Sequence, residues 1–209
     1  MFNPSPTQFR MMRWTVFVCA LLPFARLLVL AGTDRLGANP VEFITRNSGD
    51  WTLYFLCMTL ALTPLRRLSG WHWLLRLRRM LGLFAFFYAS LHFLAFLWFE
   101  HFFDVAEMWA DVLKRPFIAL GFSAFVLLLP LAATSTNAMQ RRLGGRRWQA
   151  LHRAIYLIAV LAILHFWWMK AGKNDFAQPI LFGIVVAVLL LARLYWRWGD
   201  ARRRKYRKS

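Results

Sequence analysis

The chain has 209 residues, of which 59% are hydrophobic and 17% charged, and it carries a formal net charge of +18. A soluble domain of this length would carry more charged residues and would not collect its apolar residues in long runs, so the composition excludes an ordinary soluble protein. The excess of positive charge alone would suit a nucleic-acid-binding protein, and its position along the chain decides between that class and a membrane protein.

Six apolar stretches approach the ~20 residues that a helix needs to cross a hydrocarbon core about 30 Å thick. A helix is the expected form because lipid offers no partner for backbone N–H and C=O groups, and no alternating barrel pattern is present. The sequence therefore predicts an all-α integral membrane protein with a single domain over residues 1–209, a bundle of six transmembrane helices. The second span is short. The predicted spans are 12–31, 51–65, 80–99, 117–133, 150–169 and 179–198.

The charges near the ends of these spans and between them alternate in sign. Lys and Arg number 20, with one acid, in 1–13, 64–80, 135–153 and 193–209, but only 6, with eight acids, in 31–50, 100–116 and 170–178. Cytoplasmic segments of membrane proteins collect Lys and Arg, so both termini are predicted to be cytoplasmic. The basic tail 202–208 is expected to contact anionic lipid headgroups, and nucleic acid is not an expected partner.

Several familiar cofactor motifs are missing from the sequence. Cys19 and Cys57 both lie in apolar stretches without CxxC or CxxCH spacing, which disfavours a disulfide, a zinc site and covalent haem attachment. Neither GxGxxG nor a P-loop occurs, and we expect no nucleotide-binding or flavin-binding domain in this chain. Any chemistry must therefore use groups within the bundle or belong to a separate protein.

Three of the five histidines lie inside predicted spans: His92 in the third, and His152 and His165 in the fifth. An ionisable side chain inside a bilayer is costly and usually faces the bundle interior for a functional reason. A single histidine of this kind is as often a hydrogen-bonded core residue as a ligand. Three on two helices favour ligation, and imidazole nitrogens are the axial ligands of haem b.

The third and fifth spans run in the same direction, so residues at similar depth can face each other. His92 and His165 both lie in the outer halves of their spans, which predicts one haem between them near the periplasmic face. His152 precedes His165 by 13 residues, or about 20 Å along a helix, which leaves room for a second, inner haem. Because 13 residues also rotate by roughly 140°, either the two histidines use different helix faces or the helix contains a bulge. A matching partner for His152 on the third span would fall at Arg78, so the inner site has no second histidine.

A few further polar residues are candidate contacts. Arg26, inside the first span, either extends its side chain to the interface or contacts a haem propionate. Arg78, Arg79 and Arg153 are candidate contacts to an inner cofactor, although the ordinary cytoplasmic excess of arginine explains them equally well. His72, in an amphipathic stretch at 66–79, and His101 are expected at the surface.

Several separated motifs give the chain a resemblance to a known family. Two short motifs are Thr63-Pro-Leu-Arg-Arg and Leu91-His92. The longer ones are Arg-Arg-Met-Leu-Gly-Leu at 78–83, Lys-Arg-Pro-Phe at 114–117, Leu-Pro-Leu-Ala-Ala-Thr-Ser at 129–135 and Trp-Gln-Ala-Leu-His-Arg-Ala-Ile-Tyr at 148–156. Occurring in order over nearly the whole chain, these segments resemble the MsrQ (YedZ) family, part of the ferric-reductase-like transmembrane superfamily.

This resemblance implies a haem b-containing electron-transfer subunit in the bacterial inner membrane. It would pass electrons from the quinone pool to MsrP, a periplasmic molybdenum enzyme that reduces methionine sulfoxide in oxidised proteins, so that catalysis belongs to the partner of a heterodimer. The resemblance also implies FMN as a possible cofactor, without indicating its site. His92, His152 and His165 match the histidines of the family, whereas Arg78 stands where the oxidase branch of the superfamily has a fourth histidine.

Two other functions remain open. A self-standing transmembrane ferric or quinone reductase would reduce an added acceptor without a partner. A non-redox transporter or assembly factor, in which the histidines only pack, would show no Soret band after haem supplementation.

Overall fold

The structure, a computed structural model, describes residues 3–206, with side chains up to residue 200. About 86% of the chain is helical and the described residues contain no strand, which confirms the prediction of an all-α protein. The helices are α1 (Pro6–Gly32), α2 (Pro40–Ser69), α3 (Arg78–Ala95), α4 (Val105–Lys114), α5 (Pro116–Ala133), α6 (Asn137–Leu143), α7 (Gly145–His152), α8 (Ala154–Ala171) and α9 (Ala177–Tyr206).

Five segments are long and apolar enough to cross a bilayer, as expected of a membrane protein. They contain α1, α3, α5, α7 with α8, and α9, and their bounds are Pro6–Gly32, Arg78–Glu100, Pro116–Ala133, Gly145–Ala171 and Ala177–Asp200. The predicted span at 51–65 lies within α2, which is 30 residues long but contains no 18-residue stretch as apolar as those of the other five segments.

Helix α2 begins eleven residues before the predicted span because its N-terminus is capped. The Asn39 side chain accepts a hydrogen bond from the Glu42 N–H at 3.1 Å, Pro40 occupies the first helical position, and Glu42 places a negative charge in the first turn. The helix ends at Gly70, whose left-handed backbone lets its N–H bond the Arg66 carbonyl. The early start adds about three helical turns at the N-terminal end of α2.

The predicted fifth span, 150–169, is interrupted. The chain turns at Arg153, whose N–H bonds the Ala150 carbonyl at 3.2 Å, while the Tyr156 N–H bonds the Arg153 carbonyl at 3.0 Å. This tight turn separates α7 from α8 and lies between His152 and His165. A π-helical turn does occur, but it follows α3, at Phe96–Glu100.

The core is built from two helix pairs, α2 with α3 and α5 with α8, and α9 packs against both α2 and α8. Helix α1 is largely exposed and is attached to α3 through Tyr88. The Tyr88 hydroxyl donates to the Ala20 carbonyl at 2.8 Å and accepts from the Phe24 N–H at 3.2 Å. The hydroxyl thus lies between the Ala20 carbonyl and the Phe24 N–H, which would bond each other in an undisturbed α-helix, and Pro23 is next to this point.

The connecting segments differ in how well they match the predictions. In the stretch 66–79 a short 3₁₀ helix, His72–Arg76, joins α2 to α3, and His72 is exposed as expected. His101, expected at the surface, is instead only 4% exposed, because the unpredicted helix α4 covers it. The predicted contact of the tail 202–208 with lipid concerns side chains outside the described residues.

Candidate cofactor site

A cavity of about 730 Å³ lies among α2, α3, α5 and α8. Its volume falls within the range of roughly 300–1,000 Å³ that is typical of cofactor sites. Apolar side chains such as Leu53, Phe125 and Ile158 line its deep part, and His92 and His165 lie in its wall. We call the end of the cavity that holds the two histidines and most of its polar residues the mouth; besides the histidines, the residues of the mouth are Arg46, Glu100, Arg115, Lys170, Asp175 and Gln178.

His92 on α3 and His165 on α8 face each other in this cavity, as their similar depth on co-directional helices predicts. Their ring centres are 6.1 Å apart and their ring planes are inclined by 77°. Two imidazoles on opposite sides of one iron have ring centres roughly 6 Å apart, because a metal–imidazole bond is about 2.0 Å long and the ring radius adds about 1.1 Å on each side. The separation of the two rings therefore fits a shared iron.

Each of these rings is oriented by a backbone carbonyl of a neighbouring helix. His92 Nδ1 lies 2.8 Å from the Thr45 carbonyl oxygen on α2, and His165 Nδ1 lies 2.7 Å from the Phe117 carbonyl oxygen on α5. A carbonyl oxygen only accepts hydrogen bonds, so Nδ1 is the protonated nitrogen in both rings. Nε2 is then the nitrogen with a free lone pair in each ring, as a metal ligand requires.

A glycine next to each ring allows this close approach. A Cβ atom on Gly49 would lie 3.1 Å from His92 Nδ1, and one on Gly121 would lie 2.8 Å from His165 Nδ1. Each glycine follows the residue with the accepting carbonyl by four positions, one helical turn, so the two helix pairs hold their histidines by the same construction. This repetition of carbonyl and glycine is a feature of the fold, since no internal repeat is visible in the sequence.

The donor set fits a metal that is carried by a macrocycle. Among residues 3–206 no three His, Cys, Asp or Glu side chains come together as a bare metal ion would need. Two imidazoles are enough for a haem, because the porphyrin supplies the other four iron ligands. The apolar wall beyond the histidines suits the porphyrin ring.

His152 lies elsewhere, at the end of α7, and does not line this cavity. Its Nε2 is 3.0 Å from Thr134 Oγ1, and its ring stacks on Trp148 with centres 3.9 Å apart. The Thr134 hydroxyl donates its proton to the Pro130 carbonyl at 2.6 Å, so Oγ1 accepts from His152 Nε2–H. In this ring Nδ1 is the nitrogen with the free lone pair, and ligation by His152 stays a prediction.

The four arginines singled out from the sequence also lie outside the cavity wall. Arg79 donates hydrogen bonds to Asn137 and, at 2.7 Å, to Gln140, which attaches α3 to α6. Arg78 and Arg79 place their positive charges near His152, and Arg153 is exposed at the helix break. Arg26 is exposed on α1. The predicted contacts of these arginines with a cofactor stay predictions.

Two buried cations were not singled out from the sequence. Lys170 lies in the mouth and is 6% exposed, and Arg193 on α9 is 8% exposed. Arg193 donates hydrogen bonds to the Tyr156 hydroxyl at 2.9 Å and to the Leu60 carbonyl, so it joins α9 to α8 and α2. The burial of Arg193 could have been predicted from its position inside the apolar stretch that forms α9. Its positive charge instead favoured a place in the last cytoplasmic segment.

Comparison with known proteins places the chain in a family. A family model described as Ferric reductase like transmembrane component matches residues 48–163, more than half of the chain. A relative from Herminiimonas arsenicoxydans, named Protein-methionine-sulfoxide reductase heme-binding subunit MsrQ, is 71% identical over 197 residues, which are 94% of this chain and 90% of the relative. The chain belongs to the MsrQ family.

Other MsrQ relatives agree. Proteins of the same name from Ralstonia nicotianae and Bordetella pertussis are each 60% identical to this chain, over 94% and 90% of its length and over 91% and 92% of their own. The names of these relatives describe them as haem-binding subunits of a reductase system. The region that matches the family model contains Gly49, His92, Gly121 and His152 and ends two residues before His165.

Proposed function

We propose that this chain is the haem b-binding electron-transfer subunit of a methionine sulfoxide reductase system, in which His92 and His165 would hold the iron of one haem. The observation that carries this proposal is the pair of rings 6.1 Å apart, each with Nδ1 bonded to a backbone carbonyl. A bound haem supplies one-electron redox chemistry. The chain holds the two ligand nitrogens in position and surrounds the site with apolar side chains that exclude water.

The distribution of charge supports a topology, and the topology gives electron transfer a direction. We take α2 as the sixth span and both termini as cytoplasmic in a bacterial inner membrane. Helices α2, α5 and α9 then begin on the periplasmic side, and α3 and α8 end on it, so the mouth, which lies at these helix ends, faces the periplasm. His92 and His165 would hold the haem near this face, and the haem would supply the one-electron chemistry between quinol and the acceptor. The acceptor would be a periplasmic MsrP-like molybdenum enzyme, docked as a heterodimer, on which methionine sulfoxide is reduced.

Replacement of single histidines tests the ligand assignment. His92→Ala and His165→Ala are each expected to abolish the haem at the mouth, because one imidazole remains for two axial positions. His152→Ala is expected to change a different spectral component or the electron-input step, and the exposed His72 serves as control through His72→Ala. Haem content per protein and the reduced spectrum are the measurements. Full haem content in the His92, His165 and His152 variants would refute the assignment.

An electron-transfer assay tests the role in the reductase system. The purified protein should be reduced by a soluble quinol analogue and reoxidised by the molybdenum partner with methionine sulfoxide present. Rapid reduction of an added ferric chelate by the quinol-reduced protein, without the molybdenum partner, would favour the self-standing reductase. A preparation without a Soret band after haem supplementation would favour the transporter or assembly factor.

Protease accessibility tests the proposed topology. A reporter fused to the C-terminus should be protected from protease added outside the cell, whereas a tag inserted near Asn174, in the segment between α8 and α9, should be cleaved. The opposite pattern would place the mouth on the cytoplasmic side and would contradict delivery of electrons to a periplasmic partner.

A further inference from the structure

Three basic side chains lie at the mouth of the cavity: Arg46, Arg115 and Lys170. They come from α2, from the residue before α5 and from α8, so they surround the opening instead of lying on one helix. Lys170 is the most deeply buried of the three, at 6% exposure. A buried ammonium is costly unless negative groups compensate it, so its position needs an explanation.

Each cation has a carboxylate partner near the surface. Arg46 pairs with Glu42 at 2.9 Å, and Arg115 pairs with Asp111 at 3.5 Å. The two arginines line the cavity, whereas Glu42 and Asp111 do not. In both pairs, therefore, the positive member is on the cavity side and the negative member is outside it.

The third cation is incompletely satisfied by its partner. Lys170 Nζ donates one hydrogen bond, to Asp175 at 2.7 Å, whereas an ammonium has three N–H donors. Asp175 is exposed in the loop after α8, and the hydrogen bond from Lys170 holds the pKa of its carboxyl below its usual range, so Asp175 is ionised at neutral pH. Two donors of Lys170 remain for a second acceptor.

These cations are also fixed relative to the histidine rings. Arg46 directly follows Thr45, whose carbonyl bonds His92. Arg115 lies two residues before Phe117, whose carbonyl bonds His165. Lys170 follows His165 by five residues on the same helix. The elements that orient the imidazoles therefore also place three basic side chains at the open end of the site, where the carboxyl groups of Glu100 and Asp175 lie beside them.

We propose that the mouth is a carboxylate-binding site in which Lys170, Arg115 and Arg46 hold the two propionate groups of the haem. The proposal rests on the proposed function and adds the orientation of the cofactor, with its propionates toward the mouth. It assigns this contact to residues other than Arg26, which lies on the exposed side of α1. Lys170 contributes most, because its charge is the most buried, and Arg46 contributes least, because its ion pair with Glu42 at 2.9 Å is tighter than that of Arg115 with Asp111 at 3.5 Å.

The test is a competition between haem b and its dimethyl ester, in which both propionates are neutral. The full-length protein is produced in haem-limited cells, purified in detergent and titrated with each porphyrin. The wild type should bind haem b about tenfold more tightly than the ester, as expected for charge-assisted hydrogen bonds. Lys170→Met should lose most of this preference and Lys170→Arg should keep it.

A matched control is available three residues further along the chain. Lys173 is also basic but exposed, pairs with Glu42 at 2.8 Å and does not line the cavity, so Lys173→Met should keep the full preference for haem b. In the haem-loaded protein, Lys170→Met should also lower the midpoint potential, because a positive charge that stabilises the reduced state is removed, and Lys173→Met should leave it unchanged.

The outcomes separate this proposal from the proposed function. Equal affinity of the wild type for haem b and its ester, or an unchanged preference in Lys170→Met, would overturn the carboxylate site while leaving the two-histidine haem in place. Failure of the wild type to bind either porphyrin through two imidazoles would overturn the proposed function and, with it, this inference.

Discussion

The two ends of the bundle hold their histidines in opposite ways. At the mouth, His92 and His165 donate from Nδ1 to backbone carbonyls, and Nε2 is free in both rings. At the other end, His152 donates from Nε2 to the Thr134 hydroxyl and stacks on Trp148. The mouth has two such imidazoles within reach of one iron, whereas His152 lies alone beside the charges of Arg78 and Arg79.

The difference lies in which group orients each ring. A backbone carbonyl inside a helix cannot rotate, so it fixes both the tautomer and the direction of the ring before any metal binds. At His152 the hydrogen bond is instead to a side chain, Thr134 Oγ1, which the Pro130 carbonyl holds in place. The cavity therefore presents two oriented imidazoles with Nε2 free, whereas the His152 end presents one with Nδ1 free.

Among variants that keep both imidazoles, the largest effect is expected from Gly121→Ala. The added Cβ would lie 2.8 Å from His165 Nδ1, a distance that real Cβ contacts do not show, so the ring must turn away from the Phe117 carbonyl. We expect at least a tenfold loss of affinity for the mouth haem, in line with the roughly 10–100-fold cost of disturbing a group that orients a metal ligand. Titration of the haem-free protein with haem measures it.

The other glycines of the bundle provide a graded series. Gly49→Ala would place its Cβ 3.1 Å from the His92 ring and should weaken haem binding less than Gly121→Ala. Gly82→Ala is the control, because its Cβ would lie at an ordinary 3.8 Å from Thr59 and far from either ring. Equal affinities in all three variants would show that the glycines do not position the histidines.

A smaller effect is expected at the opposite end. Thr134→Val removes the acceptor for His152 Nε2–H and should cost about 1 kcal/mol of stability, the usual value for one hydrogen bond. The spectrum and affinity of the mouth haem should not change, and Thr134→Ser should restore the stability. Thermal unfolding in detergent checks the stability, and loss of the mouth haem in Thr134→Val would contradict the independence of the two ends.

The smallest effect concerns the ion pair between Lys170 and Asp175. Because the pKa of Asp175 is lowered by Lys170, the pair stabilises the folded protein above the ordinary carboxyl pKa, and this contribution is lost as the pH falls through the lowered pKa. The melting temperature of Asp175→Asn should therefore lie slightly below that of the wild type near pH 7, and the gap should close below about pH 4. A gap that widens toward acid pH would contradict this.

Much of the architecture could be predicted from the sequence, because long apolar runs allow only helices in lipid. The early start of α2 could also have been predicted, since Asn39, Pro40 and Glu42 form a recognisable N-terminal signal. The burial of His101 could not, because it depends on how helix α4 folds back over the end of α3. Its neighbours in sequence are polar and aromatic, as at a surface.

The site was predictable only in part. Equal depth on co-directional helices was enough to predict that His92 and His165 face each other, whereas their ligation of haem stays a prediction. The contributions of Gly49, Gly121 and the two carbonyls depend on the rotation of α2 and α5 about their axes, which a single sequence does not determine. Lys170 was assigned to a loop by its charge, although it lies in the wall of the site.

The most direct test of the account is to count the histidine ligands on the iron of the mouth haem. In the variant His152→Ala, which keeps only the mouth site, protein labelled with ¹⁵N-histidine is oxidised and its ferric haem is measured by electron–nuclear double resonance. The account predicts couplings to the nitrogens of two histidines. Coupling to one histidine, or to none, would contradict it.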